Sequence, residues 1–231
     1  MHQRPGGAGQ VKPRVLDLYC CQGAASAGFR AAGMSVLLGV DKDPQPRYPF
    51  NFCQSDAIAF VMENLDFLRE HVDLVHASPP CQHDSDCQRI QGREHPDLIG
   101  PTRNALEALG LPYVIENVGG AAAKLRDPAE LCGAMFGLHT YRHRYFEAGG
   151  GFSFAAPGHP PHLQSTVKMG RALKPGDFYH AVGNFSNVAY VREDMGVTWM
   201  NRDGIRECIP PAYTEYIGRQ FIQQHTMIGA S

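Results

Sequence analysis

Val15-Leu16-Asp17-Leu18-Tyr19, followed by Cys20-Cys21-Gln22-Gly23-Ala24-Ala25 and then Ala27-Gly28, is the stretch that decides the fold. An apolar strand, a tight turn and a helix of small residues running through Arg30-Ala31-Ala32 form the opening of a nucleotide-binding α/β unit. The small side chains let helix and strand pack closely. Ser35 to Val40 reads as a second strand ending at Asp41, about twenty residues on, where such units commonly place a carboxylate for a ribose hydroxyl. Phe52 to Asp56 reads as a third strand end, Ile58 to Glu70 as a helix and Val72 to His76 as a fourth strand. Thr102 to Leu109 is expected to be a helix and Pro112 to Glu116 a fifth strand. Such alternation predicts a parallel sheet covered by helices on both faces. Ligands of these sheets sit beyond the carboxyl ends of the strands, where Tyr19, Asp41, Asp56, Cys81 and Glu116 all fall.

Directly after the fourth strand comes Ala77-Ser78-Pro79-Pro80-Cys81-Gln82. Two prolines fix φ and remove two backbone donors, so the chain leaves the strand as a stiff loop that presents the cysteine. Cys81 therefore reads as a nucleophile. Tyr113-Val114-Ile115-Glu116-Asn117-Val118 and Tyr141-Arg142-His143-Arg144-Tyr145-Phe146-Glu147 follow, supplying a strand-end carboxylate and two arginines placed on one face of a strand. A cysteine, a carboxylate and a paired arginine are the parts required for covalent attack on a pyrimidine ring. Taken singly, each has a plainer reading. Cys81 could be a buried thiol, or could join His83, Asp84, Asp86 and Cys87 in a zinc knuckle. No metal is expected, because no second tight ligand pair follows. Asp41 and Asp56 serve equally well as ligand contacts, helix caps or solvated acids, Glu116 beside Asn117 as a satisfied polar pair, and the arginines as solvated or paired surface charges.

The chain, 231 residues with 43% hydrophobic content, is long enough for one well-packed core. Its formal net charge of −2 gives no global attraction to a polyanion, so nucleic-acid contact would have to come from a local basic patch. Seven cysteines without even spacing are expected to be reduced. With no apolar run of membrane-spanning length and no apolar leader, a cytoplasmic location is expected. Residues 1–13, rich in Gly and Pro, are expected to be flexible. After Glu147 the chain turns loop-rich, from Gly149-Gly150-Gly151 to Tyr190, with Lys168, Arg171 and Lys174 close together. Ile209-Pro210-Pro211 then opens a C-terminal helix.

In this order, these residues resemble the cytosine carbon-5 DNA methyltransferase family, in a compact, phage-like form with a very short target-recognition region. The resemblance covers residues 14–147 and returns at 205–222. It implies an α/β, Rossmann-like class I S-adenosylmethionine-dependent methyltransferase with a small loop-rich insertion. Residues 14–147 would be the catalytic core, 148–204 the reduced recognition region, and 205–231 the helix returning to the core. By this resemblance Cys81 attacks carbon-6 of the base, Glu116 contacts or protonates ring N3, Arg144 holds the base carbonyl, and Arg142 supports thiolate and base. S-adenosylmethionine would lie against Tyr19, Gln22, Gly23, Asp41, Lys42, Asp56, Ala57 and Pro79. Duplex DNA, with its target cytosine flipped out, would meet Pro80, Gln82 and Asn117, and its phosphates Arg89, Arg93, Lys168, Arg171 and Lys174. The enzyme is expected to act as a monomer, away from membranes. Cys21 and Ala24 stand where the family has glycines, Thr140 where glutamine is common, and Glu207 in the final motif. The same chemistry on RNA or a free pyrimidine nucleotide, and a non-catalytic module binding S-adenosylmethionine or DNA, are the alternative readings.

Overall fold

The computed structural model describes residues 12–80, 97–167 and 170–228. Its first half runs β1 (Arg14–Leu18), α1 (Ala24–Ala31), β2 (Ser35–Asp41), β3 (Phe52–Gln54), α2 (Ala57–Glu63), α3 (Leu65–His71), β4 (Leu74–Ala77), α4 (Ile99–Leu109) and β5 (Tyr113–Asn117). There follow β6 (Ala129–Leu131), β7 (Arg144–Gly149), α5 (Val188–Met195), α6 (Arg202–Glu207) and α7 (Pro211–Ile228). Among the described residues the strands form one seven-stranded sheet of order β3-β2-β1-β4-β5-β7-β6. The first five are parallel, as alternation predicts, whereas β7 runs antiparallel to both β5 and β6. That reversed edge departs from the parallel sheet expected, because β6 and β7 lie outside the strand–helix alternation that revealed the other strands.

Alternation along each strand sorts the core into two halves. Leu16, Leu18, Val75 and Ile115 point to the face covered by Val61, Leu68 and Leu106 of α2, α3 and α4. Val15, Leu74 and Val114 point to the opposite face, under Phe29 of α1 and Tyr213, Ile217 and Phe221 of α7. Gly28 makes the second layer possible: a Cβ there would sit 2.0 Å from Thr214 Oγ1 and 2.1 Å from the Pro211 carbonyl oxygen. A third cluster of buried residues, including Tyr179, Phe185, Val191, Met195, Met200 and Ile205, packs around α5 and α6. The region expected to be loop-rich thus also carries two short helices and an apolar core. No described helix is long and apolar enough to cross a membrane.

The single helix expected over Ile58 to Glu70 is two helices. Asn64 leaves the helical region at φ −124°, ψ 23°, and its side-chain amide donates to the Phe60 carbonyl at 2.8 Å, an example of a side chain competing with the helix backbone. The fourth strand starts at Leu74, because Val72 ends α3 in extended conformation and the Asp73 carboxylate accepts from the Arg14 backbone N–H at 2.6 Å. Arg142 and Arg144 do not share a strand. Arg142 sits before β7 at φ 32°, in the left-handed region, and only Arg144 belongs to the strand.

Candidate active site

The loop between β1 and α1 turns sharply through Tyr19 at φ 57°, Cys21 at φ 45° and Gly23 at φ 84°. Only glycine adopts that region freely, so Tyr19 and Cys21 each store strain of about 1–3 kcal/mol. The strain is held by fixed partners: Asp41 Oδ2, at the end of β2, accepts from the Cys21 backbone N–H at 2.9 Å, and the Tyr19 hydroxyl bonds Thr102 Oγ1 at 2.8 Å. Asp56 caps α2 by accepting from the Ala59 N–H at 2.9 Å, so the cap reading applies to it, and Ala57 behind it is buried. Lys42 is exposed beside Asp41, its carbonyl accepting from Gln54 Nε2 at 3.1 Å. Tyr19, Gly23, Asp41, Lys42, Asp56 and Ala57 thus gather at the ends of three neighbouring strands.

Gln22, expected against a cofactor, is held by partners from the far end of the chain. Its amide donates to Asn201 Oδ1 at 2.8 Å, its Oε1 accepts from the Asn201 N–H at 3.0 Å, and its carbonyl accepts from Trp199 Nε1 at 2.7 Å. Asn201 in turn caps α6 through the Gly204 N–H. Gln22 therefore clamps the β1–α1 loop to the chain entering α6, a partnership nearly the whole sequence apart.

At the ends of β4, β5 and β7 lies the second half of the site. Glu116 and Arg144 are diagonal neighbours across β5 and β7, and Arg144 Nε stands 3.0 Å from Glu116 Oε1. The N–H does not point at that oxygen, however, so buried Oε1 has charge compensation but no hydrogen bond among the described residues. Such an atom in a native fold calls for an explanation. Asn117, expected to touch the base, instead donates from Nδ2 to the Pro79 carbonyl at 3.1 Å and accepts through Oδ1 from the Val118 N–H at 2.9 Å. Both Asn117 and Pro79 are thereby engaged in fixing where the chain leaves β4, and Pro80 is the last described residue before position 81.

Arg142 also differs from expectation. Its buried guanidinium donates to the carbonyls of Ala181, Ile205, Arg206 and Cys208 at 2.6–3.1 Å, so its donors hold the approach to α7. Burial, with the like charge of Arg144, lowers its pKa to about 10, which leaves it a cation at neutral pH. Cys81, Gln82, Arg89, Arg93 and Lys168 lie outside the described residues. Arg171 and Lys174 are exposed. Burial pushes up the thiols of Cys20, Cys21, Cys132 and Cys208, Cys21 to about 12.

One buried network escaped the sequence reading. Asp17 and His76 are register partners on β1 and β4, and His76 Nδ1 lies 2.8 Å from Asp17 Oδ1. Ser26 Oγ donates to Asp17 Oδ2 and bonds the Tyr48 hydroxyl at 2.7 Å, locking α1 to the sheet behind the strained loop. An aspartate and a histidine inside two apolar strands were the available signal.

No family model matches the chain. It is 25% identical to the type II methyltransferase M.AquIA of Picosynechococcus sp., over an alignment of 211 residues that covers 71% of this chain and 85% of that protein. Over 80 residues it is 32% identical to the type II methyltransferase M.AgeI of Thalassovita gelatinovora, covering 30% of this chain but only 19% of the relative. The crystal structure of the S. pombe Dnmt2 methyltransferase superposes over 93% of this chain and 99% of its own, with a TM-score of 0.60 and 13% identity. The fold is that of the class I S-adenosylmethionine-dependent methyltransferases, as the sequence predicted.

Proposed function

We propose that the chain is a DNA methyltransferase that transfers a methyl group from S-adenosylmethionine to carbon-5 of cytosine through a covalent adduct with Cys81. The observation that carries this reading is the buried Glu116–Arg144 pair beside the end of β4, with Glu116 Oε1 lacking a hydrogen bond. A base whose ring N3 accepts a hydrogen bond from a protonated Glu116 would satisfy the orphan oxygen. The likeness to two type II methyltransferases supports DNA as the substrate class.

The strand-end groups fit the cofactor: Asp41 and Asp56 are two carboxylates on adjacent strand ends, and the Tyr19–Gly23 turn provides a close backbone approach. When bound there, S-adenosylmethionine supplies an electrophilic methyl group. Asp41 would receive ribose hydroxyls, while Gly23 keeps the turn open. A Cβ at that position would meet the Tyr48 ring at 2.8 Å.

In the proposed reaction the Cys81 thiolate bonds to carbon-6, and the ring electron pair moves to carbon-5, where it would take the methyl group as the sulfonium carbon–sulfur bond breaks and its electron pair stays on a neutral thioether. Loss of the carbon-5 proton then expels the thiolate and restores the ring. Glu116 holds a proton at ring N3, offsetting the charge that attack develops, and Arg144 fixes both Glu116 and the base carbonyl. Asn117 places the Pro79 carbonyl and hence the entry to the cysteine loop. Arg142, through its four carbonyl partners, is a positioning residue for α6 and α7. Residues 148–204 would form the reduced recognition region, with Arg171 and Lys174 as exposed phosphate contacts.

Incubation with S-adenosylmethionine and mixed-sequence duplex DNA, followed by nucleoside mass spectrometry, tests the reading. We expect 5-methyldeoxycytidine with the wild type and none with Cys81→Ala. Product on RNA or on free nucleotide alone would move the substrate to those classes, and a different methylated base would overturn the proposal.

A further inference from the structure

We propose that Cys132, His143, His159 and His162 bind one Zn2+ ion, at a site separate from the one described above and independent of the reaction assigned to it. One ligand atom from each of the four residues lies within 4.8 Å of every other. Cys132 Sγ is 3.3 Å from His162 Nε2, and His143 Nε2 is 3.3 Å from His159 Nε2. Tetrahedral zinc with bonds of about 2.0–2.3 Å needs ligand-to-ligand edges of roughly 3.3–3.8 Å, so these two edges already have the required length. One thiolate and three imidazoles suit zinc better than the oxygen-seeking cations.

The fold builds this cluster from two halves. Cys132 directly follows β6, and His143 directly precedes β7. Because Leu131 pairs with Arg144, these two ligands face each other across the mouth of the antiparallel strands. His159-Pro160-Pro161-His162 closes over them, its two prolines stiffening the chain between the remaining ligands. His159 Nδ1 lies 2.8 Å from the Pro160 carbonyl, which sets the tautomer that leaves Nε2 free for a metal. Tyr141 stacks on the His162 ring at 3.6 Å. Glu130 Oε1, 3.3 Å from His143 Nε2, adds a nearby negative charge. Cys132 is buried while His159 and His162 are exposed, so the site has a dry floor and an open entry path. On binding, the thiol proton leaves to solvent and the sulfur becomes an anionic ligand.

The metal would tie residues 159–162 to the strand that begins with Arg144. A metal-free cluster of stacked, hydrogen-bonded rings is the rival arrangement, and metal content separates the two. The full chain, purified with any affinity tag removed, is assayed for zinc after gel filtration, then stripped with chelator and titrated with Zn2+ and, separately, with Co2+. We expect about one zinc per chain, a rise in the thermal unfolding midpoint when zinc is restored, and a sulfur-to-cobalt charge-transfer band with Co2+. Cys132→Ser should abolish that band, and His159→Ala, which alters only an exposed side chain, should lose most of the zinc while folding normally by circular dichroism. His71→Ala, remote from the cluster, should retain it. No retained zinc together with no change in the unfolding midpoint would overturn the proposal. Equal retention by His159→Ala and His71→Ala would do so as well.

Discussion

A single buried oxygen separates a structural ion pair from a reactive one at Glu116. Arg144 compensates its charge but leaves Oε1 without a directed hydrogen bond, the arrangement the proposal requires of a carboxyl group that takes up a proton and donates it to a ring nitrogen. Glu116→Gln should therefore lower turnover by about 10²–10⁴-fold, the usual contribution of a proton-transfer group. Binding of S-adenosylmethionine, read by calorimetry, should change little, and an equal loss in both would show that the carboxylate serves the fold. Glu116 and Arg144 were legible in the sequence because motif order and strand ends place them. Gln22, Asn117 and Arg142 were legible as candidates, but their hydrogen-bond partners were not. Their partners are Asn201, the Pro79 carbonyl and the carbonyls of residues 181 to 208, and no local pattern predicts hydrogen bonds across such separations.

Strand β7 also carries Glu147, buried between α4 and the sheet. Arg103 grips it with two hydrogen bonds of 2.6 and 2.7 Å, and the Arg126 backbone N–H donates at 2.9 Å. Burial alone would raise the Glu147 pKa, but these donors more than reverse that and hold it below its ordinary value. A depressed carboxylate contributes its full stability above its unfolded pKa, about 4.3. That contribution fades as pH falls from there through the lower folded value. Glu147→Gln should cost about 3–5 kcal/mol at pH 7, because it leaves Arg103 buried without its counter-charge. In urea unfolding the gap to wild type should shrink below roughly pH 4, and a gap independent of pH would contradict this account. At this scale the parallel strands and most helices could be read from periodicity, since two-faced burial and amphipathic spacing leave a local trace. The strand at β7 was legible around its arginines, but its antiparallel pairing and β6 left no trace, because β6 is three residues long and its pairing is decided by contact with β7.

The whole molecule is a sheet with two covered faces and a third, small core around α5 and α6, joined to it by Gln22 and Arg142. On the proposed assignment, a recognition region of that size would reach few base edges, each good bidentate contact adding about 1–3 kcal/mol of discrimination. Methylation profiled across random DNA should show a site of two or three fixed bases, and five or more would contradict the assignment of residues 148–204. With a net charge of −2, binding to DNA must rest on local cations such as Arg171 and Lys174, so affinity should fall steeply with salt. The central claim is the covalent step at Cys81, and intact mass spectrometry tests it most directly. The chain is incubated with S-adenosylmethionine and a duplex carrying 5-fluorodeoxycytidine, whose fluorine cannot leave as a cation and so keeps the thioether in place. We predict a mass increase of one DNA strand plus one methyl group for the wild type and none for Cys81→Ser. An adduct that persists in Cys81→Ser, or a wild type that methylates ordinary DNA yet forms no adduct, would contradict the mechanism.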